Sequence, residues 1–162
     1  MQSRKWWNKG IGLTIAVIGQ IVCAFLLYDS GASSIKINIG WGIMLLSAIF
    51  GWLPIFTLRR KGKISGKSYV NTTVLVDSGV YQIVRHPQYL AGILLNIALS
   101  LITTHWTVLL FGAIAAIVNY LGTFQEERQN IEKFGEDYRV YQQKVPRLNF
   151  ILGIIRLFLP KH

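Results

Sequence analysis

The chain is poor in charged residues, in cysteine and in histidine. Only 15% of its 162 residues are charged, whereas soluble domains carry about 25%, and the charges are missing from several long apolar runs. The single cysteine, Cys23, excludes an internal disulfide, and the three histidines, His86, His105 and His162, are too scattered to form a metal site. We therefore predict neither a disulfide framework nor a bound metal.

Apolar residues and positive charge are abundant instead. Apolar residues make up 52% of the sequence, the mean hydropathy is +0.40 and the formal net charge is +10. Nucleic acid is one candidate partner for so basic a chain, but the lysines and arginines adjoin the apolar runs. In such positions they favour anionic lipid headgroups and fix membrane topology. We therefore expect a lipid bilayer as partner and no nucleic acid.

Four apolar runs predict an all-α, polytopic membrane protein with about four transmembrane helices. They cover residues 11–28, 39–58, 87–102 and 106–124, and at about 1.5 Å per residue the longer ones match a hydrocarbon core of about 30 Å. The last two runs are joined by residues 103–105 and predict a C-terminal helical hairpin. The helical pattern then continues to Phe134, and Gly135 is a typical stop signal.

The basic residues predict the orientation of a single membrane-embedded domain covering residues 1–162. All lysines and arginines except Lys36 fall on one side, which places both termini, the catalytic loop of residues 59–86 and the tail of residues 125–162 in the cytoplasm. The basic N-terminal arm and the first apolar run lack a cleavage site and are interpreted as a retained span. Residues 150–160 are apolar but too short to span, which predicts an interfacial or re-entrant segment.

A first group of polar residues lies where the third predicted helix begins. Arg85 and His86 precede Pro87, a favourable first helical residue, so we expect them at the positive end of that helix, where a carboxylate or phosphate can bind. One face of the same helix carries, at spacings of three and four, Tyr89, Gly92 and Asn96. Alternatively, Arg85 and His86 anchor the helix to lipid headgroups, and the polar face packs against another helix.

A second polar stripe follows the fourth predicted helix to its cytoplasmic end. It consists of Asn119, Thr123, Glu126 or Glu127, and Asn130. Ionisable groups near membrane depth usually mark function, although a solvated helix end is an equal alternative for Glu127. The two stripes lie on the two arms of the hairpin. Together they offer anion-binding groups opposite carboxylates, which suits a ligand with an α-carboxylate, an α-ammonium group and ribose hydroxyls.

The polar residues fall within two recognisable motifs. Residues 77–92, which include Arg85-His86-Pro87, resemble the G-x-Y-x-x-x-R-H-P-x-Y-x-G signature of the isoprenylcysteine carboxyl methyltransferases and phospholipid N-methyltransferases of membranes. A second set of residues resembles the second half of that signature. It consists of Glu126-Glu127, Phe134-Gly135, Tyr138, Tyr141 and Val145-Pro146-Arg147. The resemblance implies S-adenosylmethionine as cofactor and methyl transfer to a lipophilic acceptor. This family lacks a Rossmann domain, and no G-x-G-x-x-G run follows a strand here.

The resemblance and the two polar stripes together imply roles for individual residues. The residues expected to bind the cofactor are Tyr81, Arg85, His86, Tyr89, Gly92, Glu126, Glu127, Tyr138 and Tyr141, with Arg85 and His86 at its carboxylate end. The residues expected to take part in catalysis are Glu127, Glu126 and Arg85, with either glutamate as the base for an amine or thiol. The residues expected to contact the substrate are Asn96, Asn119, Thr123 and Arg147.

The chain departs from the family pattern at one turn of helix. Many of the carboxyl methyltransferases place an arginine about one turn before the acidic pair, where this chain has Asn119, Thr123 and Gln125. A phospholipid amine or a thiol is therefore an open alternative to a carboxylate acceptor. Two more distant alternatives are a membrane reductase that uses NADPH, which shares the R-H-P-x-Y-x-G run, and a non-enzymatic membrane scaffold.

Overall fold

The computed structural model describes residues 2–28, 33–63 and 72–159, with side chains described from residue 11 onward. Residues 64–71 of the predicted catalytic loop and residues 160–162 of the tail lie outside the described part. Within it, every regular element is helical, which confirms the all-α prediction. The six α-helices are α1 (Gln2–Leu26), α2 (Ser34–Lys61), α3 (Pro87–Thr103), α4 (Trp106–Phe134), α5 (Glu136–Lys144) and α6 (Phe150–Phe158), and a 3₁₀ helix covers Gly79–Gln82.

The helix ends follow the sequence closely in the second half of the chain. Helix α3 begins at Pro87, as predicted, because proline has no N–H to lose at a first helical position. Helix α4 runs past the apolar run to Phe134, and Gly135 then takes a φ of +59°, a left-handed conformation that glycine adopts without strain. Helix α2 is longer than the predicted span, and its last turn carries Arg59, Arg60 and Lys61, which stabilise a helix C-terminus.

Of the helices in the described part of the chain, two are long and apolar enough to cross a membrane. These are α2 and α4, whereas the apolar part of α1, Ile11–Leu26, and helix α3 are shorter. The prediction of four spans therefore stays a prediction. Apolar side chains are widely exposed on α2 and α4, among them Trp41, Trp52 and Leu109 at 57%, 63% and 61%. Exposed apolar surface on this scale suits a lipid environment.

The chain divides into two compact units, and the first comprises Met1–Ala48 and Ala91–Gly122. In this unit, Gly19 lies against the ring of Phe111, so that α1 packs closely on α4. The side-chain amide of Gln20 donates to the carbonyl oxygens of Asn96 at 2.9 Å and Val108 at 3.3 Å. Polar side chains therefore tie α1 to both arms of the helical hairpin.

The second unit comprises Ile49–Leu90 and Thr123–His162. Its core is formed by Tyr138, Tyr141 and Val145 of the α5 region, packed against Leu75, Tyr81, Ile131 and Phe134. Helix α6 joins this unit at two points. The rings of Phe50 and Phe150 lie 5.5 Å apart, and a Cβ atom added to Gly153 would meet the carbonyl oxygen of Ile83 at 1.9 Å.

Candidate functional site

The segment before α3 is shaped by one glycine and one short helix. Gly79 has a φ of +64° and lies against the side chain of Thr57. Lys61 donates to the hydroxyl of Ser78 at 2.9 Å, which joins the end of α2 to the start of this segment. The chain then makes the 3₁₀ helix and delivers Arg85 and His86 to the first turn of α3.

The C-terminal segment binds directly to this pair through the backbone. The N–H of Arg85 donates to the carbonyl of Pro146 at 3.0 Å, and the N–H of His86 donates to the carbonyl of Arg147 at 3.3 Å. The Arg85 guanidinium donates from Nη1 to the Gln142 carbonyl at 2.7 Å. The two sequence motifs are therefore joined, and these two backbone N–H groups bind carbonyls of the chain itself rather than an external anion.

Glu127 lies at the centre of a cluster of cationic groups. Its Oε1 atom lies 2.9 Å from Nη2 of Arg85, 3.1 Å from Nε of Arg147 and 3.2 Å from Nε2 of His86. Its Oε2 atom accepts from Nη2 of Arg147 at 2.6 Å, so the Arg147 contact is bidentate. Glu127 is only 5% exposed. Its charge is thus matched in the folded chain, and its predicted contact with a cofactor stays a prediction.

The neighbouring Glu126 has a different environment. Its side chain is 43% exposed, and its Oε1 atom lies 3.7 Å from Nδ1 of His86, too far for a hydrogen bond. Consecutive residues of a helix point about 100° apart, so a helix that directs Glu127 into the cluster leaves Glu126 at its rim. Glu126 is therefore the carboxylate that a bound molecule can reach.

Two buried donor atoms of the cluster remain without a partner. Nε of Arg85 and Nδ1 of His86 have no hydrogen-bond partner among the described residues. Buried polar atoms are nearly always hydrogen-bonded, so each such exception calls for a ligand, a water or a functional explanation. Two orphaned donors beside a half-exposed carboxylate fit an anionic group that is accompanied by a cation or by hydroxyls.

The charges of the cluster shift the pKa values of its members. Burial alone would lower the pKa of His86, but the nearby carboxylates of Glu126 and Glu127 outweigh it and raise that pKa above its usual 6.5. Glu127 follows the apolar run of residues 106–124. Burial would raise its pKa, but bonds from His86 and Arg147 and the charge of Arg85 lower it to about 2. The folded protein thus favours imidazolium beside carboxylate.

Aromatic residues surround the cluster. The ring of Tyr89 meets that of His86 edge-on at 5.7 Å, and the Arg147 guanidinium lies 3.9 Å from the centre of the Phe124 ring. The Tyr141 hydroxyl donates to the Tyr81 carbonyl at 2.7 Å. Tyr81 and Tyr141 thus tie the 3₁₀ helix to α5, while their predicted contact with a cofactor stays a prediction.

Tyr138 and Thr123 complete the predicted residues of the second unit. Tyr138 is 2% exposed, and its ring lies 5.7 Å from that of Tyr141. Burial raises the pKa of Tyr138 to about 12, so its hydroxyl is neutral at physiological pH. Thr123 is fully buried on α4, one turn before Glu127. Both side chains are buried in the protein, and their predicted contacts with the cofactor and the substrate stay predictions.

The predicted residues of the first unit form two separate groups. Gly92 leaves room for Asn119, whose Nδ2 would lie 2.9 Å from a Cβ atom at position 92 and donates to the Ala115 carbonyl at 3.0 Å. Asn96 is 2% exposed, and neither atom of its amide has a partner in the part of the chain that the structure describes. Gln20 binds the backbone of Asn96, a contact that its place in the first apolar run did not predict.

Three members of the site were not predicted from the sequence. They are the carbonyls of Gln142 and Pro146 and the ring of Phe124. Backbone carbonyls carry no sequence signal, because every residue has one. Phe124 sits three residues before Glu127 and therefore on the same helix face, so its spacing was an available signal for the contact with Arg147.

Comparison with known proteins agrees with the motifs. The profile of the phospholipid methyltransferase family matches residues 35–137. The chain is 41% identical over 69 residues to methanethiol S-methyltransferase 1 of Bradyrhizobium diazoefficiens, covering 43% of this chain and 24% of that protein. It is 33% identical over 119 residues to methanethiol S-methyltransferase of Pseudomonas deceptionensis, covering 68% of this chain and 42% of that protein. The chain thus spans less than half the length of these relatives. No solved structure matches it significantly.

Proposed function

Because the chain belongs to the phospholipid methyltransferase family, a family of membrane proteins, we propose that it transfers the methyl group of S-adenosylmethionine to a thiol at the membrane surface. The observation that carries this proposal is the cluster around Glu127. It joins both sequence motifs in one place and leaves two buried donors, Nε of Arg85 and Nδ1 of His86, without a partner. Beside those donors lies Glu126, whose carboxylate is open to solvent.

The donor set fits the amino-acid end of S-adenosylmethionine. A carboxylate accepts hydrogen bonds from guanidinium and imidazolium groups, which are the orphaned donors here. Glu126 offers acceptor oxygens for an ammonium group or for ribose hydroxyls. When bound, S-adenosylmethionine supplies a methyl group that its sulfonium already activates for displacement. The protein then has to align the acceptor and exclude water, and orientation supplies most of the rate enhancement.

A thiol acceptor must also lose a proton as the new sulfur–carbon bond forms. Of the two adjacent carboxylates, Glu127 is the weaker candidate for this proton, because four contacts from cationic groups hold its pKa at about 2. Glu126 has one distant cationic neighbour and an exposed side chain. We therefore assign proton acceptance to Glu126 and the organisation of the cationic groups to Glu127.

Two observations favour a thiol over a carboxylate acceptor. The relatives named above carry the name methanethiol S-methyltransferase. In addition, the turn of α4 before the acidic pair holds Asn119, Thr123 and Gln125 and has no cationic side chain to pair with a carboxylate acceptor. A phospholipid amine is the second candidate, favoured by the description of the matching family.

The membrane arrangement that accompanies this function is a multi-pass topology with both termini in the cytoplasm. The distribution of basic residues supports it, because only Lys36 falls on the other side. An introduced cysteine at Asp77, in a Cys23→Ser background, tests it in intact cells. We expect an impermeant thiol reagent to label this position only after the cells are opened. Labelling in intact cells would contradict the orientation.

Binding and turnover of the purified protein test the function itself. We expect calorimetry in detergent to show binding of S-adenosylmethionine and of its demethylated product, and a labelled methyl group to appear on methanethiol. Transfer to phosphatidylethanolamine but not to thiols would move the assignment to the phospholipid amine. Binding of NADPH alone would favour the reductase, and binding of neither nucleotide would favour the scaffold.

The matched variants Glu126→Gln and Glu136→Gln sharpen this test. A lost hydrogen bond to a charged group costs about 1.5–3 kcal/mol, which corresponds to roughly a tenfold to hundredfold loss of affinity. If Glu126 binds the cofactor, Glu126→Gln loses affinity by that factor. If it serves only as the base, affinity is unchanged and turnover falls. Glu136 is exposed on α5, so its variant should change neither quantity.

A further inference from the structure

Helix α6 exposes apolar side chains around most of its circumference. At about 100° per residue, its exposed apolar positions cover roughly 200° of arc. These residues are Ile151, Leu152, Ile154, Ile155, Leu157 and Phe158, with exposures from 37% to 85%. The helix contains no acidic residue and a single charged one, Arg156, which donates to the Lys144 carbonyl at 3.3 Å. Exposure of this helix surface to water is therefore unfavourable.

The contacts of α6 place it beside the apolar part of α2. Phe150, its first residue, packs on Phe50. Phe50 precedes Leu58, the end of the predicted span of residues 39–58, by eight residues, which corresponds to about 12 Å along a helix. Near this contact α2 exposes Trp52, Leu53 and Phe56. With the orientation proposed above, the start of α6 lies within the hydrocarbon layer.

The same helix is seated directly on the segment that carries the cationic pair. Gly153 is so close to Ile83 that a Cβ atom would overlap its carbonyl oxygen, at 1.9 Å, and Ile83 lies two residues before Arg85. At the other end, only two residues separate Arg147 from Phe150, and Asn149 caps α6 by accepting from the N–H of Leu152 at 3.0 Å. A displacement of α6 therefore acts on both arginines that bind Glu127.

We propose that α6 lies among the lipid acyl chains of the leaflet beside the site, and that this lipid contact holds Arg147 and Arg85 in place on Glu127. Lipid is favoured over a second copy of the chain because exposed apolar residues cover most of the helix surface. A protein partner covers one face of a helix, whereas acyl chains cover every face left open. The single Arg156 at the rim suits an anionic headgroup.

Spin labels in vesicles test the location of α6. Cysteines replace Ile155 or Phe158 in a Cys23→Ser background, with Arg139→Cys on α5 as the exposed control, in vesicles of phosphatidylcholine and phosphatidylglycerol. We expect frequent collisions with oxygen and few with a water-soluble nickel chelate at both α6 positions, and the reverse at the control. Collisions with the chelate as frequent as at the control would place α6 in water. Exclusion of both reagents, with broadening between labels, would place a second copy on it. Either result overturns the proposal.

A pair of α6 variants tests the effect on the cluster. Ile155 and Phe158 are 50% and 85% exposed, so lysines at these positions should leave the fold intact while drawing α6 out of the lipid. We expect the energetic coupling between Glu127 and Arg147, measured by a double-mutant cycle, to fall to less than half in this background. Gly153→Ala should have the same effect, whereas Gly12→Ala, which meets open space, should have none. Unchanged coupling in both α6 variants would refute the link. Both readouts are independent of methyl transfer, so they remain decisive if the proposed activity is wrong.

Discussion

Replacing each of the two adjacent glutamates by glutamine should have opposite consequences for stability and for ligand binding. Glu127→Gln keeps the shape of the side chain and removes its charge. Three cationic groups, those of Arg85, His86 and Arg147, would then face one another across an uncharged amide. Glu126→Gln removes the same charge one residue earlier, where the side chain is 43% exposed and its nearest cation is 3.7 Å away.

The sizes of the two effects follow from burial. Breaking a buried ion pair by removing one partner costs about 3–5 kcal/mol, because the remaining charge is left uncompensated. We expect a loss of that size for Glu127→Gln, since its carboxylate is 5% exposed and has four contacts with cationic groups. For Glu126→Gln we expect no more than about 1 kcal/mol, the range of solvent-exposed pairs.

Reversible unfolding in mixed micelles, with a rising fraction of sodium dodecyl sulfate, measures these differences. The matched control is Glu136→Gln, which breaks the exposed pair of Glu136 and Arg139, 3.7 Å apart and 78% and 59% exposed. We expect a cost of about 0.5 kcal/mol or less there. A Glu127→Gln variant that is no less stable than the Glu136→Gln variant would show that the cluster does not organise the fold. Restoration of stability by a second change, Arg147→Met, would support it.

Two further predictions concern pH and packing. The raised pKa of His86 contributes stability that is complete below about pH 6.5 and is lost as pH rises through the folded-state value, whereas the lowered pKa of Glu127 contributes stability lost as pH falls from about 4.5 toward 2. The unfolding midpoint, measured as a function of pH, should therefore fall both at acidic pH and at alkaline pH. A His86→Asn variant should lose the fall at alkaline pH, and a variant that keeps it unchanged would contradict this prediction. In the first unit, Gly92→Ala should cost about 1–3 kcal/mol by overpacking Asn119, and Asn119→Ala should relieve it. Gly42→Ala, which meets no atom within 4 Å, is the control, and equal costs at both glycines would refute the packing argument.

Local rules of helix geometry explain why the boundaries near the site were predictable. Pro87 starts a helix because it has no N–H to satisfy, and Gly135 ends one because it tolerates a positive φ. Both residues act through their own backbone, so their identity alone predicts where the helix begins or ends. The number of spans depends on whether short helices such as α3, from Pro87 to Thr103, cross a bilayer. That depends on lipid thickness and on neighbouring helices, which no local rule describes.

Contacts between distant segments were less accessible from the sequence. Spacing placed Asn96 on a polar face of α3, but it did not identify Gln20, 76 residues earlier, as the side chain that binds its backbone. The resemblance placed Arg147 near the substrate, whereas the structure pairs it with Glu127 and with the ring of Phe124. Its contact with a substrate stays a prediction, because a bidentate contact does not exclude a role at the rim of the site.

The roles of the two glutamates depend on the rotation of α4, and that rotation is set by contacts outside the motif. A pair of adjacent carboxylates on a helix cannot share one environment, since the two side chains diverge by about 100°. Thr123 is fully buried one turn before Glu127, and Phe124 lies under Arg147, so the inward face of α4 includes the Glu127 position. Two carboxylates in one cluster would repel each other, whereas burying Glu127 and exposing Glu126 gives the three cationic groups one counter-ion and avoids that repulsion. The two adjacent acids therefore occupy different environments, and the packing of the residues one turn earlier on α4 determines which acid is buried.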